Sequence, residues 1–258
     1  MKRLLAMAAA VGVAAVPMSA SAIDWTIGAG AGVAPDYEGS DDYEAVPLWN
    51  VKADNLYHEK TYAQIFGPKL NSNFVPHDNW RAGLSAEYIF KRKDVDDDRV
   101  DDLNNTDDGF LVGALVGYDF NLENERVIGL EFDPRWDISD DIGGLFTARA
   151  NFSSPVGESW FFRVGVDATY ASTEYMDEFF GVDSADAARS GLSQFDADSG
   201  FKDVGVSGDI SYMFSERWSV TGLASYTRLV DDAEDSPVTD DRGDENQVFG
   251  GLLINFHF

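Results

Sequence analysis

Apolar and polar residues alternate with a period of two along most of the chain from residue 23 onward. Between Trp80 and Phe90 the even positions are apolar, whereas the odd positions from 81 to 87 are charged, small or polar. Alternation over about ten residues is typical of strands whose two faces meet different environments. The pattern recurs at 110–120, 128–136, 146–152, 162–170, 204–214, 218–226 and 252–258.

Two features favour a transmembrane β-barrel over a soluble β-sandwich, which would also alternate. The apolar faces tend to begin or end with aromatic residues, such as Trp80, Tyr88, Trp218 and Tyr226, as the aromatic belts of membrane barrels do. The opposite faces are too charged for a dry core, in which each charge would need a partner or water. The charged positions are Arg81, Glu87, Asp119, Glu131, Asp133, Arg135, Arg149, Arg163, Asp167 and Asp209.

The connections between the predicted strands alternate between short turns and long acidic loops. Five acidic segments, at 35–44, 92–108, 137–141, 174–200 and 230–245, hold 31 of the 46 acidic residues. Short periplasmic turns and long extracellular loops are typical of outer-membrane barrels. If the first two acidic segments are both outside, four strands must lie between them, and two of these must be short strands at 55–64 and 67–75. The sequence therefore predicts a single antiparallel barrel of about twelve strands with both termini in the periplasm.

The start of the chain predicts export. Lys2 and Arg3 precede an apolar run from Leu4 to Val16, and Ala20-Ser21-Ala22 offers a cleavage site. We therefore expect a signal peptide at residues 1–22 and a barrel at 23–258. The run is shorter than the roughly 20 residues that a helical span needs. Without residues 1–22 the net charge of −27 becomes about −29, which disfavours nucleic acid as a partner. The chain has no cysteine, so disulfides cannot stabilise it.

Candidate chemistry is sparse, and the sequence predicts neither an enzyme nor a cofactor. The three histidines are His58, His77 and His257, and none is paired in the pattern with a serine nucleophile. Asp94, Asp96, Asp97 and Asp98 do not match the register of an EF-hand loop, so a solvated surface loop is the simpler interpretation. These aspartates are weak candidates for loose divalent-ion binding, for example against lipopolysaccharide of the outer leaflet. No catalytic or cofactor-binding residue is predicted.

The charges on the polar face form the main predicted site. We expect a lumen network of Arg81, Glu87, Glu131, Asp133, Arg135, Arg149, Arg163 and Asp167. Such a network could brace the wall through cross-strand pairs, or it could form the selectivity constriction of a pore. A lumen of about twelve strands is wider than that of eight-stranded barrels and narrower than that of general porins, so both interpretations stay open.

The chain ends with Leu252, Ile254, Phe256 and Phe258 in alternate positions. This ending resembles the C-terminal signal by which the barrel assembly machinery recognises outer-membrane proteins. Together with the leader and the repeated alternation, it indicates insertion into the outer membrane, where lipid and lipopolysaccharide surround the barrel.

Several segments resemble the MipA/OmpV family of outer-membrane proteins over essentially the whole chain after residue 22. The resemblance begins at 28–40 and 46–48, resumes at Phe180-Gly181-Val182 and Ser190-Gly191-Leu192, and closes with 232–238, Gly243, Gln247 and the terminal strand. It implies a barrel that acts as a scaffold in cell-wall maintenance and links a lytic transglycosylase to a murein synthase, two kinds of enzyme that act on peptidoglycan. A narrow outer-membrane channel and a surface adhesin are the alternative functions.

Overall fold

The computed structural model describes residues 23–258, which form one closed barrel of twelve antiparallel strands. The predicted signal peptide lies outside the described residues. Each strand pairs with its neighbours in sequence, and β1 pairs with β12 to close the barrel. The strands are β1 (Asp24–Pro35), β2 (Tyr43–Asp54), β3 (Tyr62–Phe66), β4 (Lys69–Asn73), β5 (Trp80–Ile89), β6 (Gly109–Asn121), β7 (Val127–Asp137), β8 (Gly144–Val156), β9 (Trp160–Ala171), β10 (Gly200–Ser215), β11 (Trp218–Leu229) and β12 (Asn246–His257).

The strand count of twelve is confirmed, including the two short strands that loop parity required. Their bounds differ from the prediction, because β3 begins at Tyr62 and β4 ends at Asn73. Asn55 adopts a left-handed φ of 60°, and the Thr61 hydroxyl accepts hydrogen bonds from the amides of Tyr57 and His58. These local bonds hold residues 55–61 as a turn, so the strand predicted at 55–64 begins only at Tyr62.

The apolar face of the strands points outward and carries two aromatic belts. One belt follows one rim through the ring pairs Trp136–Phe146 and Tyr170–Phe201, whose centroids lie 6.2 and 5.7 Å apart. The other follows the opposite rim and includes the pairs Trp80–Tyr118, Trp160–Tyr212 and Trp218–Phe256, at 5.0, 4.5 and 4.8 Å. Belts at both interfaces with an apolar band between them match the surface that a bilayer surrounds.

The two ends of the barrel differ. At the turn end lie both ends of the described chain and the connections 55–61, 74–79, 122–126, 157–159 and 216–217. At the loop end lie loop 1 (36–42), loop 2 (90–108), loop 3 (138–143), loop 4 (172–199) and loop 5 (230–245). The β3–β4 hairpin also turns toward the loop end, at 67–68.

The long loops contain helices that the sequence pattern did not predict. Loop 2 holds α1 (Asp98–Asp101), loop 4 holds α2 (Thr173–Phe180) and α3 (Ser184–Ser190), and loop 5 holds α4 (Asp232–Asp235). Within residues 23–258 no helix is long and apolar enough to cross a membrane.

Candidate functional site: a charged lumen beneath a folded cap

The predicted lumen charges form two ion-pair clusters and one separate pair. In the first cluster, Glu131 of β7 accepts hydrogen bonds from Arg81 Nη1 at 2.7 Å and from Arg149 Nη1 at 2.8 Å. Arg81 Nε also donates to Asp119 Oδ2 at 2.9 Å. These residues come from four neighbouring strands, β5 to β8, so one glutamate ties two arginines across the wall.

The second cluster lies nearer the loop end and surrounds Arg135. This guanidinium contacts the carboxylates of Glu87 and Asp133, and all three side chains are less than a tenth exposed. Lys69 Nζ lies 3.0 Å from Glu87 Oε1, and the Ser85 hydroxyl donates to Asp133. Lys69 was missed at the sequence level because it lies beside the β3–β4 turn, where alternation is weak.

Arg163 and Asp167 do not join either cluster through an ion pair in the described part of the chain. Arg163 Nε instead lies 3.3 Å from Asp209 Oδ1 on β10. Asp167 stands opposite Arg149 in the β8–β9 register without reaching ion-pair distance. The β9–β10 register places the carboxylate partner of Arg163 on the next strand, so Arg163 and Asp167 lie outside the two clusters.

The charges occupy one side of the lumen. The lumen-facing residues of β11 and β12 up to Asn255 are small, polar or apolar, as are those of β1 from Gly28 and those of β2 from Val46 to Asn50. On that side Asn255 donates to Thr221 Oγ1 at 3.0 Å, and Asn50 accepts from Gln64 at 2.8 Å. The lumen therefore has a charged wall facing a wall that is uncharged along its middle, with Lys52 of β2 nearer the turn end.

A folded cap, formed by loops 1 to 5, closes over the loop end. Its centre is α2, whose Met176 and Phe180 are fully buried. The Ser172 side chain caps the start of this helix by accepting from the Tyr175 amide. The α2 side chains pack against lumen-facing residues at the ends of separate strands, so the helix sits within the mouth of the barrel; these residues are Leu111, Leu145, Ala171 and Leu229.

A second apolar cluster joins the cap loops to one another. It contains Tyr37 of loop 1, Val100 of loop 2, Val182 of loop 4 and Val238 of loop 5. A hydrogen bond from a side chain to the backbone links loops 4 and 5 beside it: Ser236 Oγ donates to the Phe180 carbonyl at 2.6 Å. The expectation of solvated acidic loops therefore misses a packed interior, which arises because four loops bury apolar side chains against each other.

Several cap acids make defined contacts. The Asp97 side chain accepts from the amides of Arg99 and Val100 at the start of α1 and also pairs with Arg242 of loop 5. Burial opposes ionisation of Asp97, but the hydrogen bonds from Arg242 and the Val100 amide outweigh it and lower the pKa. In loop 1, Glu38 pairs with Lys202 and accepts from the Tyr175 hydroxyl at 3.1 Å. Burial, followed by the Glu38 charge, raises the pKa of Tyr175.

No group of three or more histidine, cysteine or acidic side chains is arranged to hold a metal ion within residues 23–258. Asp94 and Asp98 are exposed, and the Asp96 amide donates to Asp36 Oδ2 at 3.0 Å. Divalent binding by the 94–98 cluster stays a prediction.

The turn end carries a contiguous surface, here named the turn-end platform, made of residues 55–61, 74–79 and 122–126. The Tyr57 hydroxyl donates to the Phe74 carbonyl, and Asn73 Nδ2 donates to the Lys60 carbonyl at 2.6 Å. Asn121 Nδ2 joins the third segment by donating to the Asp78 carbonyl at 2.8 Å. The platform exposes apolar side chains at Tyr57, Phe74 and Leu122.

The histidines and the C-terminal signal have structural contacts. His58 and His77 lie in the platform, where His77 Nδ1 accepts from the amides of Asn79 and Trp80 at 3.0 and 3.1 Å. His257 bridges the barrel seam through Thr26 and Ser219 at 3.0 and 2.9 Å. The side chains of the proposed assembly signal lie along the outer face of β12; Leu252, Ile254 and Phe258 are more than half exposed, and Phe256 packs on Trp218.

A family model and two proteins of known sequence are similar to this chain. Residues 27–258 match the family model described as MltA-interacting protein MipA. The MltA-interacting protein of Escherichia coli K12 is 26% identical over 232 residues, covering 84% of each chain. Outer membrane protein Omp26La of Vibrio anguillarum is 30% identical over 95 residues, which is 35% of this chain and 33% of that protein.

Among solved structures, the COG4313 outer membrane channel from Pseudomonas putida F1 superposes with a TM-score of 0.52 at 11% identity, over 95% of this chain and 97% of that one. At that identity the likeness concerns the fold, and the fold is that of an outer-membrane barrel. The segments that carry the family resemblance, from Tyr37 to Gly39, at Phe180–Val182 and at Val238, Gly243 and Gln247, meet in the cap. This chain therefore belongs to the MltA-interacting protein (MipA) family.

Proposed function

We propose that this protein is an outer-membrane anchor that holds a murein-processing enzyme of the lytic transglycosylase class at the periplasmic side. In this orientation the turn end and both termini face the periplasm, and the acidic cap faces outward. The name of the Escherichia coli relative refers to an interaction with MltA, and the anchor function extends that kind of partner to this chain. A murein synthase that binds the same anchor would complete the scaffold.

The turn-end platform is the observation that carries this proposal. It comprises eighteen residues in three segments, all but the buried Thr61 at least partly exposed, which approaches the 20 to 30 residues per partner of a standard interface. Tyr57 and Phe74 are exposed aromatic residues of the kind enriched at interfaces, and the exposed Leu122 extends their apolar area. The turns at 157–159 and 216–217 are too short to offer a comparable surface.

Binding to the detergent-solubilised barrel tests the proposal. We expect a purified lytic transglycosylase to bind the unaltered protein and to bind the double variant Phe74→Ser, Leu122→Ser at least about tenfold more weakly, a loss of about 1.4 kcal/mol. Ile138→Ser is the matched control, because Ile138 is an exposed apolar residue at the opposite end. Absence of binding to the unaltered barrel, or an equal loss in the control, would refute the platform as the binding surface.

A second function is favoured by the asymmetric lumen: a narrow passage whose outer mouth the cap closes. A charged wall facing a wall that is uncharged along its middle suits a polar path with ion selectivity. We expect discrete conductance steps in planar bilayers at a low open probability, with the ion preference altered by Arg149→Glu. Bilayers that stay silent with both the unaltered protein and a cap-loosened variant would contradict a passage.

A further inference from the structure

The barrel wall is incomplete beside β2 at the loop end. Strand β2 pairs with β1 along its full length from Tyr43 to Asp54, but β3 reaches only as far as Phe66, opposite Asn50. The Gly67 amide adds one bond to the Trp49 carbonyl. Within residues 23–258, no strand pairs with 43–48 on that side. Six residues at about 3.3 Å each leave roughly 20 Å of strand edge without a partner strand.

The missing wall has the shape of a wedge with defined borders. On the β5 side the Tyr88 amide donates to the Pro68 carbonyl at 3.1 Å, so the hairpin reaches almost to the top of that strand. Across the top, loops 1 and 2 meet where the Asp96 amide donates to Asp36. The opening is therefore deep along β2, shallow along β5 and bounded above by the cap.

The chemistry of the β2 edge argues against a further strand filling the wedge. The Trp49 carbonyl accepts from the Gly67 amide and so points toward the β3 side. Residues two apart in a strand direct their backbone polar groups to the same side, so those of Pro47 point to the open side as well. Pro47 has no N–H to donate there, and proline on a free edge prevents strand addition.

The wedge opens at the level of an aromatic belt and leads to an apolar part of the lumen. Tyr88 and Phe90 flank it at the belt, with ring centroids 5.0 Å apart. Behind it, Leu48 faces the lumen and is only 7% exposed. Leu48 lies so close to Gly251 that an added Cβ on this glycine would come within 2.5 Å of the leucine Cδ1. Phe249 and Leu253 of β12 continue this apolar surface.

A charged pair lies at the border of the wedge that the β3–β4 turn forms. Lys69, at the start of β4, is half exposed and lies 3.0 Å from the buried Glu87 carboxylate. An apolar surface beside a half-exposed charged pair suits a molecule with one alkyl chain and a polar head. The cap closes the direct route from the loop end, because α2 fills the mouth of the barrel. We infer that the wedge between β2 and β5 is a lateral portal through which a single-chain amphiphile passes between the outer leaflet and the lumen.

The inference does not depend on the turn-end platform. It rests on the proposed passage and assigns its entry and solute class. Conductance steps in bilayers without lateral entry would leave the passage intact and remove only the portal.

The absence of cysteine from the chain permits a direct test with single-cysteine variants in phosphatidylcholine vesicles. The probe is a maleimide with a twelve-carbon alkyl chain, which concentrates in the bilayer because each buried methylene contributes about 0.8 kcal/mol. Leu84→Cys is the lipid-facing reference. Leu115→Cys is the matched lumen control, since Leu115 is 1% exposed, pairs with Gly83 of β5 and lies on β6, which has a partner strand on each side. We expect Leu48→Cys to react at least about tenfold faster than Leu115→Cys, because the portal connects position 48 to the lipid in which the probe is concentrated.

Two further variants close the portal. In the first, Pro47→Thr restores an edge N–H on β2, and four alternating Thr and Val residues inserted on each side of Gly67-Pro68 extend the hairpin along this strand. In the second, Val46→Trp narrows the lumen side without changing the backbone. Both should slow labelling at position 48 toward the Leu115→Cys rate, while a retained gel shift on heating shows that the barrel is folded. The portal is refuted if position 48 reacts no faster than position 115, if a sulfonated water-soluble maleimide labels it equally fast, or if neither closing variant slows it.

Discussion

Replacement of Phe180 by alanine should loosen the cap and leave the barrel intact. Phe180 ends α2, is fully buried, and packs in the cluster that joins this helix to the strand ends. Removal of a buried phenylalanine side chain destabilises a packed core by about 3–5 kcal/mol. The barrel is held by continuous strand pairing around the closed sheet, which this substitution does not touch. The free energy of cap opening should therefore fall by this amount, and the free energy of barrel unfolding should change little.

Amide hydrogen exchange in detergent measures the two effects separately. Each 1.4 kcal/mol is a factor of ten, so protection of cap amides should fall by roughly a hundredfold or more, limited by the stability the cap starts with. Reporter amides are those of Val182 and Phe195, which bond to each other's carbonyls at 2.8 and 3.0 Å. Phe201→Ala is the control, because Phe201 is a lipid-facing phenylalanine of the aromatic belt and is 54% exposed. Unchanged protection of these amides, or equal loss of protection in the strands, would refute the view of the cap as a separately packed unit.

Three other predictions concern charge and close packing. Glu131→Gln leaves two lumen arginines without their shared carboxylate, so the free energy of unfolding in urea should fall by about 1–3 kcal/mol. The same free energy should fall by less than about 1 kcal/mol in Arg163→Gln, because Arg163 is more exposed. Because the pKa of Asp97 is lowered in the folded cap, its contact with Arg242 stabilises the cap above the unfolded value near 3.9 and is lost as the pH falls through the folded value. The Arg242 side-chain Nε resonance should shift in that acidic range, and an unchanged resonance would contradict the contact. Gly243→Ala should separate loops 1 and 5, because the new Cβ would lie 1.8 Å from a loop 1 carbonyl oxygen, and unaltered hydrogen exchange in both loops would argue against this close approach.

The alternation of residues was sufficient to predict the barrel and its inward and outward faces, and the parity of the loops added the strand count of twelve. A strand that crosses a bilayer must satisfy its backbone by pairing with neighbours, so a period of two and the parity of the loops determine much of the topology. The pairing of Arg149 with Glu131 also follows from neighbouring strands, because these residues stand opposite each other in the β7–β8 register.

The cap could be predicted only in part. Ser172 followed by Tyr175, Met176, Phe179 and Phe180 has the start signal and the spacing of an amphipathic helix, and this signal could have identified α2. Nothing local indicates that Tyr37 and Val238, about 200 residues apart, share one apolar cluster. Such contacts depend on the closure of the barrel, which brings distant loops to the same rim.

The wedge beside β2 was likewise decided by tertiary structure. The sequence required two short strands between residues 55 and 75, but their height in the wall depends on the register at which β3 meets β2. Pro47 suggests a free edge only after that register is known. Local sequence thus determined which residues form strands and which face they present, whereas the three-dimensional fold determined where the wall ends, what closes the mouth and which charges meet inside.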